Sequence, residues 1–181
     1  MAVKKYQDEL ELPKGVHAAY LDGVCTIKGS KGEIKRKLLH PRIQISVAGD
    51  KILFVVGHYT RREKMVLGSF VSHLKNMISG VQEPYTYKLK VCSGHFPINL
   101  TYGNNKFVVK NFIGEKIPRI LEIKKGVDVV VAGEVVTVTS IDKELAGQTA
   151  AAIELLCRRT GFDRRVFQQG IFITEKCGKA V

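Results

Sequence analysis

The stretch VAGDKILFVV, residues 47–56, is the most informative part of the chain because its opening returns as VAGE at residues 131–134, 84 positions later. At both places an apolar strand precedes the glycine turn, and a second strand and a helix follow. Self-similarity at this spacing is typical of an internal duplication. The chain is therefore expected to be α+β, with two tandem similar domains, each a small and mostly antiparallel β-sheet covered by one helix.

A second glycine turn supports the same interpretation. Gly32-Glu33 and Gly114-Glu115 lie 82 residues apart, close to the first offset. Chance similarity of short turns is the alternative, and the shared order of strands and helix favours duplication. The expected domains are residues 1–83 and residues 84–181.

Apolar periodicity predicts the individual elements. The first half contains candidate strands at 16–21, 24–28, 34–39, 43–47 and 52–56. A helix follows, opened by a capping box of Thr60 and Glu63 and closed at Gly80. The second half contains candidate strands at 87–91, 98–102, 107–110, 117–123, 127–132 and 135–139. Its helix is expected over about 142–159, with Gly161 as the stop.

The charge balance indicates a polyanionic partner. Lys and Arg number 29 against 17 Asp and Glu, which gives a net charge of +12. Residues 84–126 carry +6 and residues 158–181 carry +4, and they bracket an acidic segment, 127–157, at −4. A domain this basic has the electrostatic footprint of a nucleic-acid binder. A merely soluble basic protein is the alternative explanation.

Several function classes find no support in the sequence. The N-terminal segment is charged and lacks the apolar core of a signal peptide, so no membrane association is expected. The four cysteines are widely spaced without a CxxC pair, which favours reduced, structural or incidental thiols. No HExxH, GxSxG or dinucleotide-binding glycine motif is present, so no catalytic residues, metal, cofactor or small-molecule substrate are expected. Catalysis by a Cys–His pair stays open, because the two residues of such a pair can be far apart in sequence and meet only in the folded protein.

Basic and aromatic side chains in the second half are the candidate RNA contacts. Lys88 and Lys90 alternate with apolar residues, so both are expected on one sheet face. Arginine can fork onto phosphate or stack on bases. The helix end and a C-terminal tail expected to be mobile supply further cations. The candidates are Lys88, Lys90, His95, Phe96, Lys116, Arg119, Lys124, Lys125, Arg158, Arg159, Arg164, Arg165, Lys176 and Lys179.

The first half has its own basic cluster, Lys31 with residues 35–37. With Gly29 and Gly32 it has the composition of a phosphate-contacting hairpin tip, but it lacks the spacing of a nucleotide-binding loop. A plain β-turn is the favoured interpretation.

Four segments carry a family resemblance. The segments HFPIN at 95–99 and NFIGEK at 111–116 resemble the paired signatures of the large-subunit ribosomal protein six family, in its archaeal and eukaryotic branch, called protein nine in eukaryotic naming. HLKNMISGV at 73–81 resembles the end of that family's first-domain helix. RVFQQGIFITEK at 165–176 resembles its closing signature, except that Gln169 stands where Asp is usual.

The resemblance implies two similarly folded domains and binding to large-subunit rRNA, mainly through the second domain, near the sarcin–ricin loop and stalk base. It implies a structural role in translation, with neighbouring large-subunit and stalk-base ribosomal proteins as partners and no catalysis or cofactor. By matching position it favours Arg165 and Lys176 as RNA contacts. The implied location is cytoplasmic, with a nuclear assembly stage if the source is eukaryotic.

Two other functions remain open from the residues. An RNA-processing or RNA-modifying enzyme requires convergent polar side chains in a pocket, with His95 as a candidate. A protein-interaction module would dock partners along its β edges.

Overall fold

A computed structural model describes the protein over residues 6–57, 59–94, 96–161, 163, 166 and 168–181. Over these residues the chain forms two compact units, the first ending at Pro84 and the second beginning at Tyr85. Each unit combines antiparallel sheets with one helix. The predicted α+β class and tandem duplication are confirmed, although each unit contains two sheets rather than one.

The first unit contains two three-stranded antiparallel sheets, ordered β1-β6-β5 and β2-β3-β4. Its elements are β1 (Tyr6–Glu11), β2 (His17–Leu21), β3 (Val24–Gly29), β4 (Gly32–Lys37), β5 (Ile43–Ala48), β6 (Lys51–Val56) and helix α1 (Arg61–Gln82). The inward faces of β5 and β6 pack the core, with Ile52, Phe54 and Val56 fully buried.

The second unit repeats this scheme. Its sheets are ordered β11-β12-β7-β13-β14 and β10-β9-β8. The elements are β7 (Tyr85–Cys92), β8 (Asn99–Gly103), β9 (Lys106–Lys110), a 3-10 turn (Phe112–Gly114), β10 (Arg119–Glu122), β11 (Asp128–Ala132), β12 (Val135–Ser140), helix α2 (Lys143–Leu156), β13 (Gly170–Lys176) and β14 (Lys179–Ala180). Here β7, β12 and β11 correspond to β1, β6 and β5, and the pair β13–β14 is added beyond β7.

The repeated glycine turn is the same structure in both units. The turns close between Ala48 and Lys51 in the first unit and between Ala132 and Val135 in the second. The glycine that opens each turn has φ of +59°, a conformation that glycine adopts without steric cost. The second predicted correspondence is not of this kind, because Gly32 opens β4 whereas Gly114 closes the 3-10 turn ahead of β10.

Helix α1 begins as predicted and ends later. The Thr60 side chain accepts from the Arg62 amide, and the Glu63 carboxylate reaches back to the Thr60 amide. The stop predicted at Gly80 is wrong, because the helix continues to Gln82. The Lys31 amide at the β3–β4 tip donates to the Val81 carbonyl at 3.0 Å. The last turn thus has a partner outside the helix and needs no glycine cap.

Helix α2 ends earlier than predicted, at Leu156, so the stop expected at Gly161 is also wrong. The amides of Cys157 and Arg158 donate to the carbonyls of Glu154 and Leu155, three residues back, at 3.2 and 3.0 Å. This spacing tightens the last turn and terminates the helix.

The C-terminal segment is a hairpin rather than the expected mobile tail. β13 pairs with β7 and turns through Cys177-Gly178 into β14. Both turn residues have positive φ, +50° and +78°, which suits the twist of a two-residue hairpin. β1 was also missed by the sequence analysis, because it alternates mostly polar residues.

Candidate nucleic-acid interface

Lysines on β7 face away from the helix, as their alternation predicts. Tyr87 and Leu89 are buried in the core that α2 shares, while Lys88 and Lys90 are exposed on the opposite sheet face. Lys88 forms an ion pair with Glu175 on β13, with a 2.8 Å N–O distance. Its charge is therefore partly neutralised within the sheet.

A second basic group gathers at the end of α2. Arg158 and Arg159 are exposed immediately after the helix. The residue 111–118 loop lies against the same helix end, because Arg119 Nη1 donates to the Leu156 carbonyl at 2.7 Å. This loop carries the exposed Lys116. We call Lys116, Arg119, Arg158 and Arg159 the helix-end cluster.

Arg119 is the internal clamp of this cluster. Its Nε and Nη2 donate to the two oxygens of Glu115 at 2.8 and 2.6 Å, and its guanidinium lies 4.4 Å from the Phe112 ring centroid. The Arg119 side chain is only 24% exposed. Hydrogen bonding from Arg119 lowers the pKa of the Glu115 carboxyl, and the charge of Arg159 lowers it further. Arg119 therefore positions the loop more than it presents a charge to solvent.

The three resemblance segments of the second unit meet beside this cluster. The Gln169 side-chain amide donates to the Phe96 carbonyl at 2.9 Å, and the Asn111 amide donates to the Pro97 carbonyl at 3.0 Å. Phe96 is 40% exposed. Segments that lie far apart in sequence are thus held together by side-chain to backbone hydrogen bonds.

The loop between β9 and β10 has an uncommon backbone. Asn111, Ile113 and Gly114 have φ of +59°, +50° and +74°. A β-branched residue at positive φ is a genuine conformational outlier. Strain of this kind persists where surrounding contacts fix the chain, and it is often found at binding sites.

The other predicted cations do not join the helix-end cluster. Lys124 Nζ lies 3.2 Å from Gln148 Oε1 on α2, next to Lys125 in the β10–β11 loop. Lys176 and Lys179 lie on the β13–β14 hairpin, at the opposite end of the sheet from Gly170 and α2's C-terminus. The predicted cations therefore lie in four places: the exposed face of β7, the β10–β11 loop beside α2, the end of α2, and the β13–β14 hairpin at the opposite end of the sheet. His95, Arg164 and Arg165 lie outside the described residues.

The basic cluster of the first unit has a structural explanation. The β3–β4 tip contacts the end of α1 through Lys31 and Ser30, whose hydroxyl lies 3.4 Å from the Val81 carbonyl. Glu33 forms ion pairs with Lys28 and Lys35 at 3.1 and 3.0 Å.

Two kinds of feature are absent from the part of the chain that the structure describes. Among the described residues, no group of three His, Cys, Asp or Glu side chains is arranged to hold a metal ion. No described helix has the length and apolarity needed to span a membrane. The Nε2 atom of His73 lies 3.4 Å from Nη2 of Arg36, in a partly buried contact between α1 and β4. The four cysteine thiols form no disulfide.

Sequence reasoning missed residues that organise the helix end. Gln169 and Glu115 make the hydrogen bonds described above, and Ile113 carries the strained backbone. Gln169 was noticed only as a departure from the family pattern. The spacing of Glu115 and Arg119, four residues apart, was a signal that an ion pair would form, although the pair lies in a loop rather than a helix.

The fold and this surface define a class: tandemly duplicated α+β proteins that carry an exposed cationic cluster at a helix end of the second repeat. The family model for ribosomal protein L6 matches residues 12–84 and 96–170, one match in each unit. The chain belongs to the ribosomal protein L6 family.

Curated relatives agree over almost the full length. The protein named large ribosomal subunit protein uL6 of Methanocella arvoryzae is 41% identical over 177 residues, covering 97% of this chain and 99% of that protein. Those of Methanococcus vannielii and Nanoarchaeum equitans are 37% and 40% identical, covering 97% and 96% of this chain and 96% and 94% of those proteins. All three are archaeal, so the resemblance to the archaeal branch is confirmed.

Proposed function

We propose that the chain is a structural constituent of the large ribosomal subunit and binds large-subunit rRNA, mainly through its second unit. The names of its archaeal relatives support the ribosomal part of this proposal. The helix-end cluster is the observation that carries the RNA-binding part. Arg158 and Arg159 are exposed directly after α2, and Arg119 ties the loop that carries Lys116 to the same helix end.

The expected chemistry of binding is electrostatic. Cations that neutralise phosphates release condensed counterions, which favours association without base recognition. Side chains have little access to the deep major groove of an RNA duplex, so backbone and shape contacts should dominate. Lys88, Lys90, Lys124, Lys125, Lys176 and Lys179 extend the same chemistry to other parts of the unit.

The site on the ribosome is part of the proposal. We place it near the sarcin–ricin loop and the stalk base, with neighbouring large-subunit proteins as partners, in the cytoplasm. The role is structural and supports translation, rather than catalytic.

Co-sedimentation tests this proposal. A tagged chain, expressed in cells that lack their own copy, should travel with large subunits in a sucrose gradient and stay bound in moderate salt. The double variant Arg158→Gln/Arg159→Gln should leave the large-subunit fraction as salt rises. The double variant Lys35→Gln/Lys37→Gln, which removes the same charge from β4, is the matched control. A chain found only in free fractions at low salt would overturn the proposal.

A further inference from the structure

A cavity lies at the C-terminal end of α2 in the second unit. Its volume is about 340 Å³, within the range of sites that hold small ligands. The turn before β10, the end of α2 and the start of β13 form its wall. Its lining includes Ile113, Glu154, Leu155, Gln169 and Phe172, together with Arg158 and Arg159.

The wall combines the surfaces that a nucleobase needs. Ile113 and Phe172 supply apolar and aromatic surface, and unstacked RNA bases stack on such side chains. Gln169 and Glu154 place polar groups among them. Arg158 and Arg159 are exposed beside the same opening, where a phosphate would find two cations.

We propose that this cavity receives one nucleotide splayed out of the bound RNA, with the base inside and the adjoining phosphate at Arg158 and Arg159. This inference rests on the proposed function, because the nucleotide belongs to the RNA that the helix-end cluster binds. It adds a contact to a base where the electrostatic account requires only contacts to phosphates.

The same wall selects among bases. The Glu154 carboxylate accepts hydrogen bonds, and a helix C-terminus carries partial negative charge. Carboxylates pair with exocyclic amino groups of bases. A base with such a group, adenine, guanine or cytosine, therefore fits better than uracil.

The cavity is held open without RNA. The Gln169 amide is fixed to the Phe96 carbonyl at 2.9 Å, and Arg119 joins the 111–118 loop to Leu156. Ile113 keeps its φ of +50° within that loop. Because these contacts order the wall beforehand, a nucleotide that enters loses less free energy to ordering the protein.

Ultraviolet cross-linking of the full chain to purified large-subunit rRNA, followed by mass spectrometry, tests the inference. The wild type should give a single-nucleotide adduct on the peptide that contains Phe172, on a base with an amino group. Leu155 is 57% exposed at the cavity, so Leu155→Trp should cover the opening. We expect the adduct and the RNA affinity both to fall about tenfold with the loss of base stacking, while the slope of log K against log salt, set by the retained arginines, stays unchanged.

The control is Met65→Trp, which places the same side chain on an exposed position of α1, 67% exposed in the wild type. It should retain the adduct. Chemical probing of the wild-type complex gives a measurement that needs no variant: one unpaired base should be protected on its Watson–Crick edge. Adducts only outside the cavity, or an undiminished adduct in a folded Leu155→Trp variant, would overturn the inference. If the wild-type chain does not bind the rRNA at all, the proposed function is overturned instead.

Discussion

Arg119 Nη1 lies 2.7 Å from the carbonyl oxygen of Leu156, the last residue of α2, and donates a hydrogen bond to it. The bond uses one of the helix's terminal carbonyls, which have no partner within the helix. It also fixes the loop that carries Lys116. A single side chain thus caps a terminal carbonyl of the helix and ties the loop that carries Lys116 to it.

Replacing Arg119 with Met should destabilise the second unit. The substitution removes the clamp on Leu156 and leaves the Glu115 carboxylate, about a third exposed, without its partner. Losing hydrogen bonds to a charged group of this kind costs about 2 kcal/mol. Urea denaturation measures the change. The control is Lys106→Met, which breaks an exposed ion pair with Glu122 and should cost less than about 1 kcal/mol. Equal losses in the two variants would contradict the clamp role.

Adding a methyl group to Gly29 should destabilise the first unit. A Cβ at this position would lie 2.7 Å from Val81 Cγ2 and 3.0 Å from the Val81 carbonyl oxygen. Overpacking of this kind costs about 1–3 kcal/mol.

Gly68→Ala on α1 is the matched control, because a Cβ there meets nothing within 4 Å. It should stabilise the helix by about 0.5–1 kcal/mol. The two glycine variants should therefore shift the denaturation midpoint in opposite directions, and a shift in the same direction would show that the β3–β4 tip does not pack as described.

Acid should remove a contribution of Glu63 to stability. The Thr60 hydroxyl, the backbone at the helix start and then Arg42 lower the pKa of the Glu63 carboxyl to about 2. A depressed folded-state pKa means that the ionised form stabilises the fold at pH values above the unfolded-state pKa, about 4.3. The contribution is then lost as pH falls from about 4.3 toward 2.

Thermal unfolding between neutral pH and pH 2 measures this effect. The variant Glu63→Gln should melt lower than the wild type at neutral pH, and the gap should narrow in acid. A gap that stays constant across the range would show that ionisation of Glu63 does not contribute.

Replacing Gln169 with Asp, the residue that is usual at this position in the family, gives a further test. Gln169→Asp should weaken RNA binding, because a carboxylate beside Arg158 competes with phosphate and cannot donate to the Phe96 carbonyl. The loss should be about tenfold, as for one charge-assisted contact. Gln169→Asn is the matched control, since it shortens the side chain equally without adding charge. Equal losses in both variants would indicate that only side-chain length matters.

Local signals in the sequence were sufficient for much of the fold. The duplicated glycine turns, the strands with alternating apolar residues and the capping box of α1 were all predictable, because their pattern lies within a few residues. β1 was not, because its charged face masks the few inward side chains. The ends of both helices were also missed, since Val81 and Leu156 find their hydrogen-bond donors on other parts of the chain.

The candidate site was less predictable than the fold. Charge alone marked Arg158 and Arg159, which follow α2 directly, and Lys116, in the loop that Arg119 ties to the same helix end. Charge could not show that the Arg119 guanidinium is hydrogen-bonded to Glu115 within the protein, or that Lys176 lies at the opposite end of the sheet. The first fact depends on the contact of Arg119 with the end of α2, and the second on the register of β13 against β7. Neither contact nor register is visible in composition or periodicity.

The most direct measurement is the affinity of purified large-subunit rRNA for the chain as a function of salt. The wild type should show a steep linear fall of log K with log salt. Removing Arg158 and Arg159 together as glutamines should reduce the slope by about 1.4 to 1.8, the value for two phosphate contacts, while Lys35→Gln/Lys37→Gln should leave it nearly unchanged. An unaltered slope in the arginine variant, or an equal reduction in the lysine control, would contradict the assignment of RNA binding to the end of α2.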